Sequence, residues 1–158
     1  LIDDNLDAGN DAWKEFEALT DRRPANWDTD QDGMPDWWEK LAGTNPSAAD
    51  NNELSDGEYT QLERYLNWLA EPHFITSAGN KLTIDLKQYF AGYNQQPVFT
   101  LESSIQPQEG KMKLNKKGIL TISLNKKAAD CLIDIKVKAT DKDQVASLQR
   151  TFHIAITQ

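Results

Sequence analysis

Between residues 28 and 39 the chain reads DTDQDGMPDWWE, which puts five carboxylates and one glycine into a single short stretch. Asp28, Asp30 and Asp32 alternate, Gly33 follows at once, Asp36 stands at the ninth position and Glu39 closes the run, satisfying the calcium-loop pattern DxDxDGxxxxxE. Calcium takes about six to eight oxygens at roughly 2.3 to 2.6 Å, and alternate residues of a tightly wound loop can aim their carboxylates at one centre. Gly33 permits the positive φ that turns the chain back, so the carbonyl of Met34 supplies another oxygen. Glu39, one turn into the following element, closes the far side with both its oxygens. Without a cation these acids repel one another, and burying any of them is costly.

Two other readings of the same residues are a solvated acidic turn capping a helix and a catalytic carboxylate pair. The pair is disfavoured because the loop holds no His, Lys or Arg to share proton transfer, and every acid already has a place as a ligand. Pro35 argues against a sensor EF-hand. It occupies the eighth position, where paired loops exchange backbone hydrogen bonds, and proline has no N–H to give. The spacing instead predicts a helix, PDWWEKLA, beginning at Pro35 and ending at Gly43, with Pro46 preventing continuation. Trp37, Trp38 and Leu41 form its apolar face, and core packing is favoured over sugar stacking for the tryptophans.

A second stretch, NNELSDGEYTQLE, lies on the same template with Asn52, Asp56, Gly57 and Glu63. Leu54 takes the third position and cannot ligate. This loop is either a weak metal site completed by waters and carbonyls, with Asp50, Glu53 and Glu58 as substitutes, or a relic that keeps only the turn.

These loops belong to a half of the chain with helical rhythm. Trp13, Phe16 and Leu19 step by three, and Leu62, Tyr65, Leu66 and Leu69 follow the spacing of one helix face. After Pro72 the period becomes two. Leu82, Ile84 and Leu86, then Leu120, Ile122 and Leu124, then Ile133, Ile135 and Val137, then Phe152, Ile154 and Ile156 alternate with polar residues. With FITSA and PVFTLES this predicts at least six short strands, an antiparallel sandwich rather than an alternating α/β fold. The expected architecture is α + β in separate domains: a small helical calcium-loop module over 1–72, then an all-β sandwich over 73–158.

Charge divides at the same place. The 158 residues carry a net charge of −8, yet the first 72 hold 18 acids and 5 bases, and the remainder 7 acids and 12 bases. An acidic half will not track nucleic-acid phosphates, but it collects hard cations. No apolar run approaches the roughly 18 residues of a membrane span. The chain opens at Leu1 without an initiator Met, so it reads as a mature product or a piece of something larger. Its one cysteine, Cys131, falls in phase with Ile133 and Ile135 and reads as a small buried hydrophobe.

The ordered pieces DTDQDGMPDWWE, GTNP and DGEYTQLERYLN resemble the segment that follows the catalytic β-helix in secreted pectate-lyase-like polysaccharide lyases of Bacteroidetes. There a DTDGDGMPDxWE loop leads through a GLNP turn to a DGYTNLExYLN helix. The loop is also similar to thrombospondin type 3 and dockerin calcium loops. Gln31 and Leu54 depart from the pattern, and the resemblance covers roughly residues 26–72. The second half resembles cadherin-like or Ig-like domains appended to bacterial surface enzymes. The resemblance implies a calcium-stabilised, non-catalytic accessory region of a secreted, periplasmic or cell-surface polysaccharide-degrading protein. Its partner would be a catalytic β-helix domain in the same parent chain; no catalytic residue carries over, since this chain has no β-helix repeat. The alternative is a carbohydrate-binding or dockerin-like interaction module.

Tyr89, Phe90 and Tyr93 plug the end of the sandwich or form a sugar platform. Lysines of KMKLNKKG and LNKKAAD make solvated strand edges, or attract an acidic polysaccharide. Asp141 and Asp143 read as a hairpin turn rather than an interdomain calcium site, and His153, alternating with Phe152 and Ile154, is expected to face solvent.

Overall fold

The computed structural model describes residues 23–24, 26–55, 57–92, 97–141 and 146–157. The segment with Trp13, Phe16 and Leu19, the second-loop Asp56, Tyr93 and Asp143 lie outside the described residues. Helix α1, Asp36–Ala42, begins immediately after Pro35, whose φ of −77° suits its place at the N-cap. It ends at Gly43, where a φ of 85° lets the N–H fold back to the Glu39 carbonyl at 2.8 Å. Helix α2, Gln61–Ala70, starts with a capping box: the Thr60 side chain accepts from the Glu63 N–H while the Glu63 carboxylate accepts from the Thr60 N–H.

Among the described residues the period-two half forms seven strands: β1 His73–Ser77, β2 Lys81–Asp85, β3 Val98–Leu101, β4 Gly110–Leu114, β5 Ile119–Leu124, β6 Cys131–Thr140 and β7 Ser147–Thr157. They build two sheets, one in the order β1-β7-β6-β3 and one in the order β2-β5-β4. All neighbours are antiparallel except β1 and β7, which run parallel with His73 opposite His153. The lysine-bearing GKMKL is β4, an edge strand, with Lys111 and Lys113 exposed as that position favours.

Inward residues of both sheets meet in one core that includes Ile84, Leu120, Ile122, Ile135, Val137, Phe152, Ile154 and Ile156. Each contributes about 1.5 to 3 kcal/mol by leaving water. Tyr89 and Phe90 are drawn into this core, Tyr89 edge-on to Phe152 at 5.2 Å and Phe90 edge-on to Phe99 at 5.4 Å. That spends them as the plug at one end of the sandwich rather than as a platform.

The outer face of the four-stranded sheet is not left to water. Leu132 pairs with Ala155 and Asp134 with His153 on that face, and the helices pack over it. Met34, Trp38, Tyr65, Trp68 and Ala155 form a second buried cluster. Two expectations change as a result. The buried stripe of α2 is Tyr65 and Trp68, while Leu66 and Leu69 are exposed, because the sheet selects which side of the helix it covers. His153, expected in solvent, lies beneath Trp68 with its side chain only 14% exposed and its Nδ1 2.6 Å from Asp134 Oδ1.

Candidate metal centre

The acidic loop winds on its own backbone before it reaches α1. Asp28 accepts from the Asp32 N–H at 3.2 Å through one oxygen and from the Gly33 N–H at 3.0 Å through the other. Gly33 takes a φ of 97°, the left-handed turn expected of it, and Gln31 also lies at positive φ, 63°. Asp36 faces back across the loop, where both its oxygens accept from Thr29, one from the N–H and one from the hydroxyl, each at 2.8 Å. Those bonds hold the Asp36 carboxyl below the usual carboxylate range.

Four carboxylates share a different pattern, each with one oxygen anchored by a donor or free of burial and the other buried without a hydrogen-bond partner. Asp32 Oδ1 accepts from the Met34 N–H at 2.9 Å, and Asp30 Oδ1 from the Asp32 N–H at 3.3 Å. Glu39 Oε1 sits 3.4 Å from the Thr44 hydroxyl, and Asp50 Oδ2 accepts from the Asn45 N–H at 3.1 Å. The remaining oxygens, Asp30 Oδ2, Asp32 Oδ2, Glu39 Oε2 and Asp50 Oδ1, are buried and unpartnered. Asp32 is only 6% exposed and Glu39 not at all.

An orphaned carboxylate oxygen in a protein interior costs on the order of 1 to 3 kcal/mol or more, and here several face one another. Burial, reinforced by Asp30, Asp32, Asp50 and Asp36, pushes Glu39 up to about 7, and burial with the Asp32 charge raises Asp30. Among the described residues two groups of acids lie close enough to share a cation, each with oxygens within 4.8 Å of one another: Asp28, Asp30 and Asp32, and Asp32, Glu39 and Asp50. Such all-oxygen donor sets suit a hard divalent cation. Met34 places its side chain in the aromatic cluster, so only its carbonyl is available to a cation.

The second loop is arranged otherwise. Asn52 is exposed and donates to Asn51 Oδ1 at 3.1 Å, and Glu63 Oε2 accepts from the Thr60 N–H at 2.8 Å and its hydroxyl at 3.0 Å. An isolated antiparallel bridge between Leu54 and Thr60 closes the turn. Among the described residues no acidic group gathers there; Asp50 has joined the first loop instead. Asn51 follows it, donating from Nδ2 to the Asp32 carbonyl at 2.9 Å. Sequence spacing had no means of finding Asp50 as a neighbour of Glu39, because the template counts only local positions.

No family model matches the chain, and no curated protein matches it. Among solved structures it is similar to a nucleoside hydrolase-related hypothetical protein from Saccharophagus degradans that is associated with carbohydrate metabolism, at 13% identity and a TM-score of 0.33. That match covers 55% of this chain and 22% of the other.

Proposed function

We propose that the chain is a non-catalytic, calcium-stabilised accessory region of a secreted polysaccharide-degrading protein, in which a helical calcium module over 1–72 positions an Ig-like or cadherin-like sandwich over 73–158. The observation that carries the calcium reading is Glu39, a fully buried glutamate whose Oε2 has no partner and one of whose oxygens lies within 4.8 Å of oxygens of Asp32 and Asp50. A cation there would convert mutual repulsion into attraction. A positioning role for the module is supported by packing: Trp38 and Trp68 share a cluster with Ala155, so a loop held by an ion would help to hold the helices on the sheet. The Ig-like reading is supported by strand order, since β2-β5-β4 opposite β3-β6-β7 corresponds to BED opposite CFG, with the first strand paired to the last. Secretion, a catalytic β-helix partner and the polysaccharide rest on the motif resemblance.

Thermal melting of the whole chain with calcium and with a chelator tests this. At an extracellular-type affinity of about 0.1 to 1 mM, millimolar calcium adds about 0.4 to 1.4 kcal/mol, and a tighter site adds more. An identical melting temperature in the two conditions overturns the reading.

A second reading, glycan binding, is favoured by a cleft of about 580 Å³ between the helices and the sheet, lined by Tyr59, Arg64, Asn67, Trp68, Asp134 and His153 among others. Tyr59 is 59% exposed, and Arg64 and Asn67, both exposed, supply polar groups beside it. Aromatic faces beside polar donors suit a sugar. Binding to polygalacturonate or another glycan that is lost on Tyr59→Ala and Arg64→Ala is the expected result under this reading.

A further inference from the structure

We infer that Asp50 is a direct ligand of the cation held by the acidic loop, so that the ion joins two separate segments of the chain. The inference rests on the calcium reading above and adds a ligand that the one-loop pattern omits, replacing a local loop with a cross-link.

Asp50 lies eleven residues beyond Glu39 in sequence, after α1 has ended at Gly43 and the chain has turned through Asn45. Its Oδ2 is fixed by the Asn45 N–H at 3.1 Å, which orients the carboxylate and leaves Oδ1 buried and without a partner. A carboxylate oxygen from Asp50 lies within 4.8 Å of ones from Asp32 and Glu39. That spacing matches what one ion demands: two oxygens each at about 2.3 to 2.6 Å from a calcium ion are at most about 5.2 Å apart. The independent sign of a missing cation is the pair facing Asp50. Glu39 has no exposure and Asp32 only 6%, and each keeps one oxygen with no donor. Three acids brought this close, two of them fully or almost fully buried, would otherwise be pushed apart.

The inference also separates the acids by job. Asp28 and Asp36 have both oxygens engaged by loop donors, so they shape the loop as well as adding charge. Asp50 brings the turn that leads into α2. The next residue, Asn51, donates to the Asp32 carbonyl and accepts from the Leu62 N–H at 3.0 Å. An ion bound by Asp50 therefore ties the acidic loop to the first turn of α2 and through it to Tyr65 and Trp68 against the sheet.

The test is calorimetric titration of the full chain with calcium, comparing wild type, Asp50→Asn and Glu39→Gln. Asparagine keeps an acceptor for the Asn45 N–H and removes the charge. The expected result is affinity weakened on the order of tenfold or more in Asp50→Asn, with a melting temperature in chelator equal to or above that of wild type. Affinity unchanged in Asp50→Asn but lost in Glu39→Gln overturns the role of Asp50 and leaves the calcium reading standing. No calcium binding by wild type overturns both. A calcium-loaded crystal structure decides the same point without substitution: an Asp50 oxygen within about 2.3 to 2.6 Å of the ion supports the inference, and a water between them overturns it.

Discussion

Glu39 is sealed from water beside Asp32 and Asp50, its Oε1 3.4 Å from one hydroxyl and its Oε2 without a partner. Burial raises it from 4.5 to about 7, so in chelator the folded chain takes up its proton more readily than the unfolded chain does. Stability of the cation-free form should therefore be greatest below about 4.5 on this account, and fall by up to about 3 kcal/mol as pH rises through 7. Asp36 and Glu63 are lowered by their hydrogen bonds, so they act only below the ordinary carboxylate range, while Asp30, raised by burial and the Asp32 charge, adds to the loss in the same direction as Glu39. With calcium saturating, protons compete with the ion and the slope should reverse. Melting curves across that pH window, with and without calcium, check both signs. Glu39→Gln should make the chelator curve shallower, raise its melting temperature at neutral pH and abolish the calcium response; a curve that keeps its full slope would remove Glu39 from the account.

In α2 the capping box explains where Glu63 spends its charge. Its Oε2 holds the Thr60 N–H and hydroxyl, which keeps the Glu63 carboxyl low and starts the helix at Gln61. Thr60→Ala should cost about 1 kcal/mol in denaturant unfolding with calcium affinity unchanged. Glu63→Gln keeps an acceptor for the Thr60 N–H, so it should cost less and likewise leave calcium binding alone. A drop in calcium affinity in Glu63→Gln would instead make Glu63 a ligand, as the loop template suggests. Periodicity marked Leu62, Tyr65, Leu66 and Leu69, but the sheet took Tyr65 and Trp68, and tryptophan offers the larger surface to bury.

Across the molecule, the helices and the sandwich meet through Trp38, Tyr65, Trp68, Leu132 and Ala155. Ala155 is fully buried even though it points away from the sandwich core, because this face is covered by aromatic side chains. The wild-type chain should therefore unfold in one transition that calcium shifts as a whole. Ala155→Arg should overpack the junction, costing on the order of 1 to 3 kcal/mol. It should also split the calorimetric trace in two, with calcium moving only the component that contains the loop. A single calcium-sensitive transition in Ala155→Arg would mean that coupling does not run through this face. Among the described residues no helix is long and apolar enough to cross a membrane.

Local spacing was enough to mark the acidic loop, the left-handed turn at Gly33, the helix bounded by Pro35 and Gly43, and six of the seven strands, because each depends on residues near in sequence. Turn sterics, proline's missing N–H and period-two alternation need no distant partner. The loop's alternation also marked acids that lie together in the fold, Asp28, Asp30 and Asp32 in one group and Asp32 with Glu39 in another. What depended on the folded chain was everything set by long-range packing. Alternation pointed His153 outward correctly but carried no information that α2 would lie over it. Within the loop, Thr29 reaches both oxygens of Asp36, contacts that the spacing template does not contain. Asp50 had no local reason to approach Glu39; the turn at Gly43 and the N–H of Asn45 bring it there, and that approach belongs to the fold.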